Sequence, residues 1–446
     1  MATRKEEEVV VVEQHGEAED TVELVAHCLC QAQRFTARVP RSSLPLEAIY
    51  CHCTSCRRLT GALYSTYVPW PGDAAAAVRA SSLRRLAFSD AIATLFCGVC
   101  GSAMFAERLR AADDDDSAPP SYGVQTGVLT NIDVPGLVNI THHIFLGDTL
   151  DGGASPWLCD ANGDGTRPRL WRGHRGQSEE LSGAAQHHWP AAAAAAAARG
   201  GGGGLPPEIP IRCYCGGVDL VLRRPVAAFA AVERAALPWF VDPATNKLHG
   251  GFDACDSCRL ASGSDIFHWT FVLLRHLAFP ASSSSGGAHP HPHPRLHQTE
   301  EEEEAQQAAT AAFPGSTTEL KNAALGADRD PRWGTLTCYE SSPDVQRYFC
   351  GRCSATVFYA TDGRPDMVDL AIGLLHTEED GGGGGGARAE SLVSWDFGGK
   401  VGWRQDVAGG WRQGFVESIE AAAERWRIER GYPKSWRRIQ REEAAQ

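Results

Sequence analysis

Cys51-His-Cys53-Thr-Ser-Cys56-Arg57-Arg58 is the stretch that decides the fold. Three cysteines within six residues can close on one metal ion. Thiolates at that spacing favour a soft or borderline ion, and zinc is the usual choice. Three thiolates from one loop leave the fourth corner of a tetrahedron to be filled. A fourth protein ligand makes such a site structural, whereas water or a substrate there makes it catalytic.

Outward from this loop the cysteines fall into two series. The first is Cys28 and Cys30, then Cys51, Cys53 and Cys56, then Cys97 and Cys100. The second is Cys213 and Cys215, then Cys255 and Cys258, then Cys350 and Cys353. Each runs in the same order: a C-x-C pair, a middle cluster followed by Arg, and a C-G-x-C pair preceded by Phe. Such self-similarity reads as an internal duplication. Two pairs far apart in sequence are the usual way a structural zinc ties two hairpins together. Cys28, Cys30, Cys97 and Cys100 are therefore expected to share one ion, and Cys213, Cys215, Cys350 and Cys353 a second. Gly98 and Gly101, with Gly216 and Gly351 in the second series, are expected to turn the backbone so that N–H groups meet the sulfurs. Cys159 stands apart and reads as an incidental thiol.

The bulk properties agree. The chain has 446 residues, 43% of them hydrophobic, 15 cysteines and a formal net charge of −13. This length suits two to three domains. The acidity disfavours a general nucleic-acid binder, which needs a basic face. The Val9 to Val12 run is too short, and its flanks too acidic, for a secretory signal. No apolar stretch approaches the length of a membrane span. The cysteines are thus expected in a reducing compartment, cytosol or nucleus, where metal ligation is favoured over disulfides.

Short strand signals separated by turns point to small, mostly antiparallel β-modules. They include 21–25, 62–68, 218–222 and 267–272. The clearest helix is Phe415 to Glu429, stopped by Gly431 and Pro433. The expected layout is an acidic tail over 1–20, a first zinc module over 21–159 and a low-complexity linker over 160–208. A second, divergent module then spans 209–440, with a disordered insert at about 280–330.

Cys28-x-Cys30, Cys51-His-Cys53-x-x-Cys56-Arg57-Arg58-x-Thr60-Gly61 and Phe96-Cys97-x-x-Cys100-Gly101-Ser102 together resemble the glutathione-dependent formaldehyde-activating enzyme family, which includes centromere protein V. The resemblance covers about 21–158 and, more loosely, 209–435. It implies a β-tent fold and membership of the carbon–sulfur lyases. It also implies a structural zinc on the outer pairs and a catalytic zinc on Cys51, Cys53 and Cys56. Gln31 departs mildly, following Cys30 where the family usually has Gly.

The second module departs more. Asp253-Ala-Cys255-Asp-Ser-Cys258-Arg259 aligns with the first loop, and Asp253 replaces its first thiolate. A carboxylate ligates zinc but is harder than a thiolate. The expectation is a weakened, differently occupied or vestigial metal site formed by Asp253, Cys255 and Cys258.

A three-thiolate zinc is a natural receptor for a small thiol such as glutathione, held as thiolate; the same corner can activate water. Arg57 is expected to meet a substrate carboxylate, with solvated surface charge as its plainer alternative and the better one for Arg58. His52 is expected to be exposed or to support the ligands. His142 or His143 is weighed as a proton carrier against a structural histidine. His289, His291, His293 and His297 read as a biased tract that binds metal only adventitiously. Two functions compete: a lyase acting on a glutathione–formaldehyde or similar thiol adduct, and a non-catalytic zinc scaffold for protein partners.

Overall fold

The computed structural model describes residues 20–109, 121–182, 189, 206–280, 313–377 and 386–445. The acidic tail, the alanine and glycine tracts at 191–204, and the histidine and glutamate tracts between 281 and 312 lie outside these residues. The described part is mostly β, as the short alternating runs imply. No helix among the described residues is long and apolar enough to cross a membrane.

The first half opens with a hairpin, β1 (Thr21–His27) and β2 (Arg34–Pro40). Then come β3 (Leu46–Cys51), β4 (Ser65–Trp70), β5 (Arg84–Ala87), β6 (Ile92–Phe96), β7 (Ala103–Arg108), β8 (Tyr122–Gln125), β9 (Val138–Ile144), β10 (Arg169–Trp171) and β11 (Glu180–Leu181). They form one sheet in the order β11-β10-β9-β3-β4-β8-β7-β6-β5. It is antiparallel except where β9 runs parallel to β3 and β10.

The second half opens with β12 (Glu208–Arg212) and β13 (Asp219–Arg223). It continues through β14 (Leu248–Asp253), β15 (Phe267–Leu273), β16 (Leu277–Ala278), β17 (Leu336–Ser342), β18 (Val345–Cys350), β19 (Thr356–Thr361), β20 (Met367–Ala371) and β21 (Val393–Trp395). Its main sheet runs β17-β18-β19-β20-β15-β14-β21, and β21 is parallel to β14. Read from the parallel edge, β9-β3-β4-β8-β7-β6-β5 and β21-β14-β15-β20-β19-β18-β17 follow the same path.

The halves are not beads on a string. One continuous core runs from Val22 to Trp426 and draws on both. At the seam each half lends the same parts. The helix Thr54–Thr60 ends on Gly61 at φ +80°, and the Gly61 carbonyl accepts the N–H of Gly373 at 2.9 Å. Reciprocally, the helix Asp256–Ser262 ends on Gly263 at φ +78°, whose carbonyl accepts the N–H of Gly127 at 2.9 Å. A Cβ on Gly373 would stand 2.2 Å from the Ala62 carbonyl oxygen, and one on Gly127 2.3 Å from the Gly263 backbone. Glycine is required because the backbones touch.

Two expected boundaries shift. Residues 169–181 are not linker: β10 and β11 extend the first sheet, since Leu170 and Trp171 find buried places there. Likewise the C-terminal part of the expected insert is folded. Ser316 caps the helix Thr317–Leu325 by accepting the N–H of Glu319, and Leu320 and Ala324 are buried. The expected C-terminal helix spans Arg412–Glu429, followed by Gly431 at φ +65°. Its Arg412 Nε reaches across to Asp265 Oδ1 at 2.7 Å, both side chains buried.

Candidate metal centres

Four groups of side chains converge, each with its ligand atoms within 4.8 Å of one another. They are Cys28/Cys30/Cys97/Cys100, Cys213/Cys215/Cys350/Cys353, Cys51/Cys53/Cys56 and Asp253/Cys255/Cys258. Every metal ligand expected from the sequence thus falls into its expected group. Two groups of four sulfurs, one of three, and one of two sulfurs with a carboxylate fit a thiophilic ion such as zinc. Cys159 and a further cysteine, Cys338 on β17, lie outside all four groups.

In the outer groups, hairpin turns bring the pairs together. Cys28 Sγ lies 3.5 Å from Cys30 Sγ, and Cys215 Sγ lies 3.5 Å from Cys350 Sγ. Backbone N–H donors to sulfur include Gln33 onto Cys28 at 3.3 Å, Val218 onto Cys213 at 3.2 Å and Cys353 onto Cys350 at 3.4 Å. The glycines do something else. Gly101 N–H goes to the Cys97 carbonyl and Gly216 N–H to that of Cys213, so they tighten the turns without touching sulfur. Gln31 adopts φ +60°, the same left-handed place that Gly216 occupies at φ +69°. The departure at Gln31 therefore leaves the turn itself intact and adds only local strain.

The inner groups sit at the starts of matching short helices. Cys53 and Cys255 are the N-caps, accepting the N–H of Cys56 at 3.3 Å and of Cys258 at 3.2 Å. In each half a carboxylate binds the next amide. Asp148 Oδ2 accepts from the Thr54 N–H at 3.4 Å, and Asp406 Oδ2 from the Asp256 N–H at 3.1 Å. Both acids ride on turns entered through a left-handed residue, Phe145 or Trp403, each at φ +57°. Burial raises the Asp148 carboxyl above its ordinary value. Hydrogen bonds from Cys51 and then Cys56 draw the Cys53 thiol down to about 3, while the shared bond with Cys53 pushes Cys51 well up.

The arginine after each loop is buried. Arg57 is 4% exposed; its Nη1 donates to the His52 carbonyl at 2.6 Å and its Nη2 reaches Thr54 Oγ1 at 3.4 Å. The group expected to meet a substrate carboxylate thus clasps the cysteine loop. Arg259 is 3% exposed and donates to the Gly127 carbonyl at 3.0 Å across the seam. Arg58, expected as solvated charge, reaches His376 Nδ1 of the other half at 3.1 Å.

His52 is buried rather than exposed, and its Nε2 pairs with His143 Nδ1 at 3.0 Å. The alternation of β9 turns His143 inward, while His142 lies on the other face near Trp171. Burial pushes His143 down to about 3 and His52 well below its ordinary value, so this pair is a neutral support behind the loop.

Residues 23–148 match the model of the glutathione-dependent formaldehyde-activating enzyme family. This segment holds the first outer group, the Cys51/Cys53/Cys56 loop and, at its end, Asp148. Comparison with curated proteins and with solved structures found no match. The family supports a formaldehyde-activating or glutathione-related function for the matched segment.

Asp148, Asp406 and Arg347, whose Nη1 donates to Cys258 Sγ at 3.6 Å, stand beside the inner groups without being announced by the motifs. The first two were legible only by aligning the halves: Phe145-Leu-Gly-Asp148 and Trp403-Arg-Gln-Asp406 stand at equal places.

Proposed function

We propose that the first half is a zinc-dependent, carbon–sulfur lyase-like enzyme acting on a glutathione–formaldehyde adduct or a similar small thiol adduct. One observation carries this reading. Within the same half the outer group offers four sulfurs, whereas the inner group offers three and, among the described residues, no fourth Cys, His, Asp or Glu atom. A zinc ion held by Cys51, Cys53 and Cys56 would keep a corner for the substrate sulfur and supply the charge that favours thiolate over thiol.

The chain's own residues do the rest. Cys53 caps its helix and fixes the loop. Arg57 clasps it from below, and the neutral His52–His143 pair keeps water from behind it. Asp148, fixed on the Thr54 amide, is the group assigned to the proton. In the synthetic direction the thiol proton passes to Asp148, the thiolate forms the carbon–sulfur bond with formaldehyde, and the proton returns to the new hydroxyl. Breakage runs the same transfers backwards.

We further infer that the second half is a divergent copy of the first. The repeated strand path, the paired left-handed glycines and the paired Asp148 and Asp406 bonds support it.

The test uses full-length protein loaded with cadmium-113 and titrated with glutathione. The resonance of the three-thiol site should move downfield as a fourth sulfur joins, and Cys53→Ser should lose that resonance. No response at millimolar glutathione favours the non-catalytic scaffold for protein partners.

A further inference from the structure

A cavity of about 600 Å³ opens beside the Asp253/Cys255/Cys258 group and includes all three residues in its wall. Its lining differs from the corresponding surface of the first half in a directed way. Counting back three residues from Cys350 and Cys97 sets Arg347 against Thr94. The strand partners of these residues are Tyr359 and Ala106. Counting back six from Leu375 and Leu129, which bridge the equivalent hairpins, sets Asp369 against Gly123. Small neutral residues in one half thus stand where the other has a cation, an aromatic ring and an acid.

Arg347 is the unusual member. It is 7% exposed and makes no direct ion-pair contact among the described residues, although the carboxylates of Asp253 and Asp369 in the same cavity act on it from further away. Its Nε donates to Ser341 Oγ at 3.2 Å, its Nη1 to Cys258 Sγ at 3.6 Å, and its guanidinium lies 5.0 Å from the Tyr359 ring centroid. Its Nη2 has no partner among the described residues. Carboxylate charges at such a remove offset the burial of a guanidinium without occupying its N–H donors, which stay available to a contacting anion. Arg364, by contrast, is already paired with Asp369 at 2.9 Å, and Arg441 with Asp396 at 2.6 Å. At the mouth the Arg437 guanidinium lies 4.8 Å from the Trp239 ring and donates from Nη1 to Gln440 Oε1 at 3.0 Å, with no contacting carboxylate among the described residues. Trp239 and Trp403 remain exposed there by 38% and 59% and form an apolar rim.

The geometry points to a second ligand site in this cavity, for a small organic carboxylate with a flat apolar body. The carboxylate meets Arg347, whose planar fork matches its two oxygens. The apolar body lies against Tyr359 and Trp269, towards the tryptophan rim. This site is separate from the Cys51/Cys53/Cys56 loop and does not depend on the lyase reading of it.

Calorimetric titration of the full-length protein tests it, with phenylacetate as probe and phenylacetamide as its neutral counterpart. Phenylacetate should bind at least tenfold more tightly than the amide. Arg347→Gln should weaken phenylacetate at least tenfold and leave the amide unchanged. Because Arg347 is buried, Arg437→Gln at the mouth is the second variant, and it should weaken phenylacetate about threefold. Equal binding of the two probes, no binding of phenylacetate at millimolar concentration, or full binding by Arg437→Gln would overturn the proposal.

Discussion

The loops Cys51–Cys56 and Asp253–Cys258 share a scaffold and differ in chemistry. Both cap a helix of the same length, both run into a left-handed glycine at the seam, and both hold a carboxylate on the second amide. One offers three thiols above a neutral histidine pair. The other offers two thiols and a half-buried carboxylate beside an arginine that makes no ion-pair contact among the described residues. The scaffold is set by backbone contacts that tolerate no side chain, whereas the chemistry is set by a few positions facing the site. A shared frame can thus be held fixed while the ligands at one of its two loops differ.

The largest effect should come from breaking what the halves have in common. Cys100→Ser or Cys350→Ser leaves an outer group with three sulfurs. Structural zinc contributes about 10–16 kcal/mol to small domains, and the core is continuous. Either change should therefore unfold both halves together. Thermal denaturation showing one half intact would separate the halves after all.

Next is the seam. Gly373→Ala or Gly127→Ala forces backbones apart, and overpacking of this kind costs about 1–3 kcal/mol. Denaturant unfolding should place the two variants close to each other, since the contacts are reciprocal. A large effect from one alone would show that the seam is not symmetric.

A smaller, pH-dependent difference lies at His268, where the first half has Thr66. His268 is fully buried among Tyr64, Trp157 and Phe252, and neither ring nitrogen is bonded. Burial holds its pKa at about 3. Its unfolded value is near 6.5, so stability is fully present above pH 6.5 and is lost as pH falls from there towards 3. The slope is about 1.4 kcal/mol per pH unit. His268→Leu should flatten the acid side of the stability profile by one proton; an unchanged profile would place the charge elsewhere.

The smallest change asks whether ligand identity alone distinguishes the loops. Asp253→Cys should fold normally and, with cobalt(II), add one thiolate's charge-transfer absorption to the second inner group. No added absorption would mean that the Arg347 side of the cavity, not Asp253, keeps the metal away.

Ligand grouping was legible in the sequence because the spacing within each pair is local and the order of pairs and middle cluster recurs in both series, which matches the distant pairs. The C-terminal helix was legible for a similar reason: Phe415, Ile419 and Trp426 recur on one helical face and are buried. The seam was not, since Gly61 and Gly373 are 312 residues apart and their contact depends on folding two sheets together. Arg57 was misjudged because a cation beside a site looks alike whether it faces substrate or its own loop. For His52 the sequence left exposure and support of the ligands as alternatives, and only the partner His143, 91 residues on, makes its burial behind the loop tolerable.

On the proposed reading, carbon–sulfur chemistry resides in the first loop and not in the second. Exchange of formaldehyde between glutathione and its hydroxymethyl adduct, followed by NMR on zinc-loaded full-length protein, tests this directly. Cys53→Ser should reduce catalysed exchange at least 100-fold, while Cys255→Ser leaves it within twofold of the unmodified protein. Exchange that survives Cys53→Ser and disappears with Cys255→Ser would contradict the account.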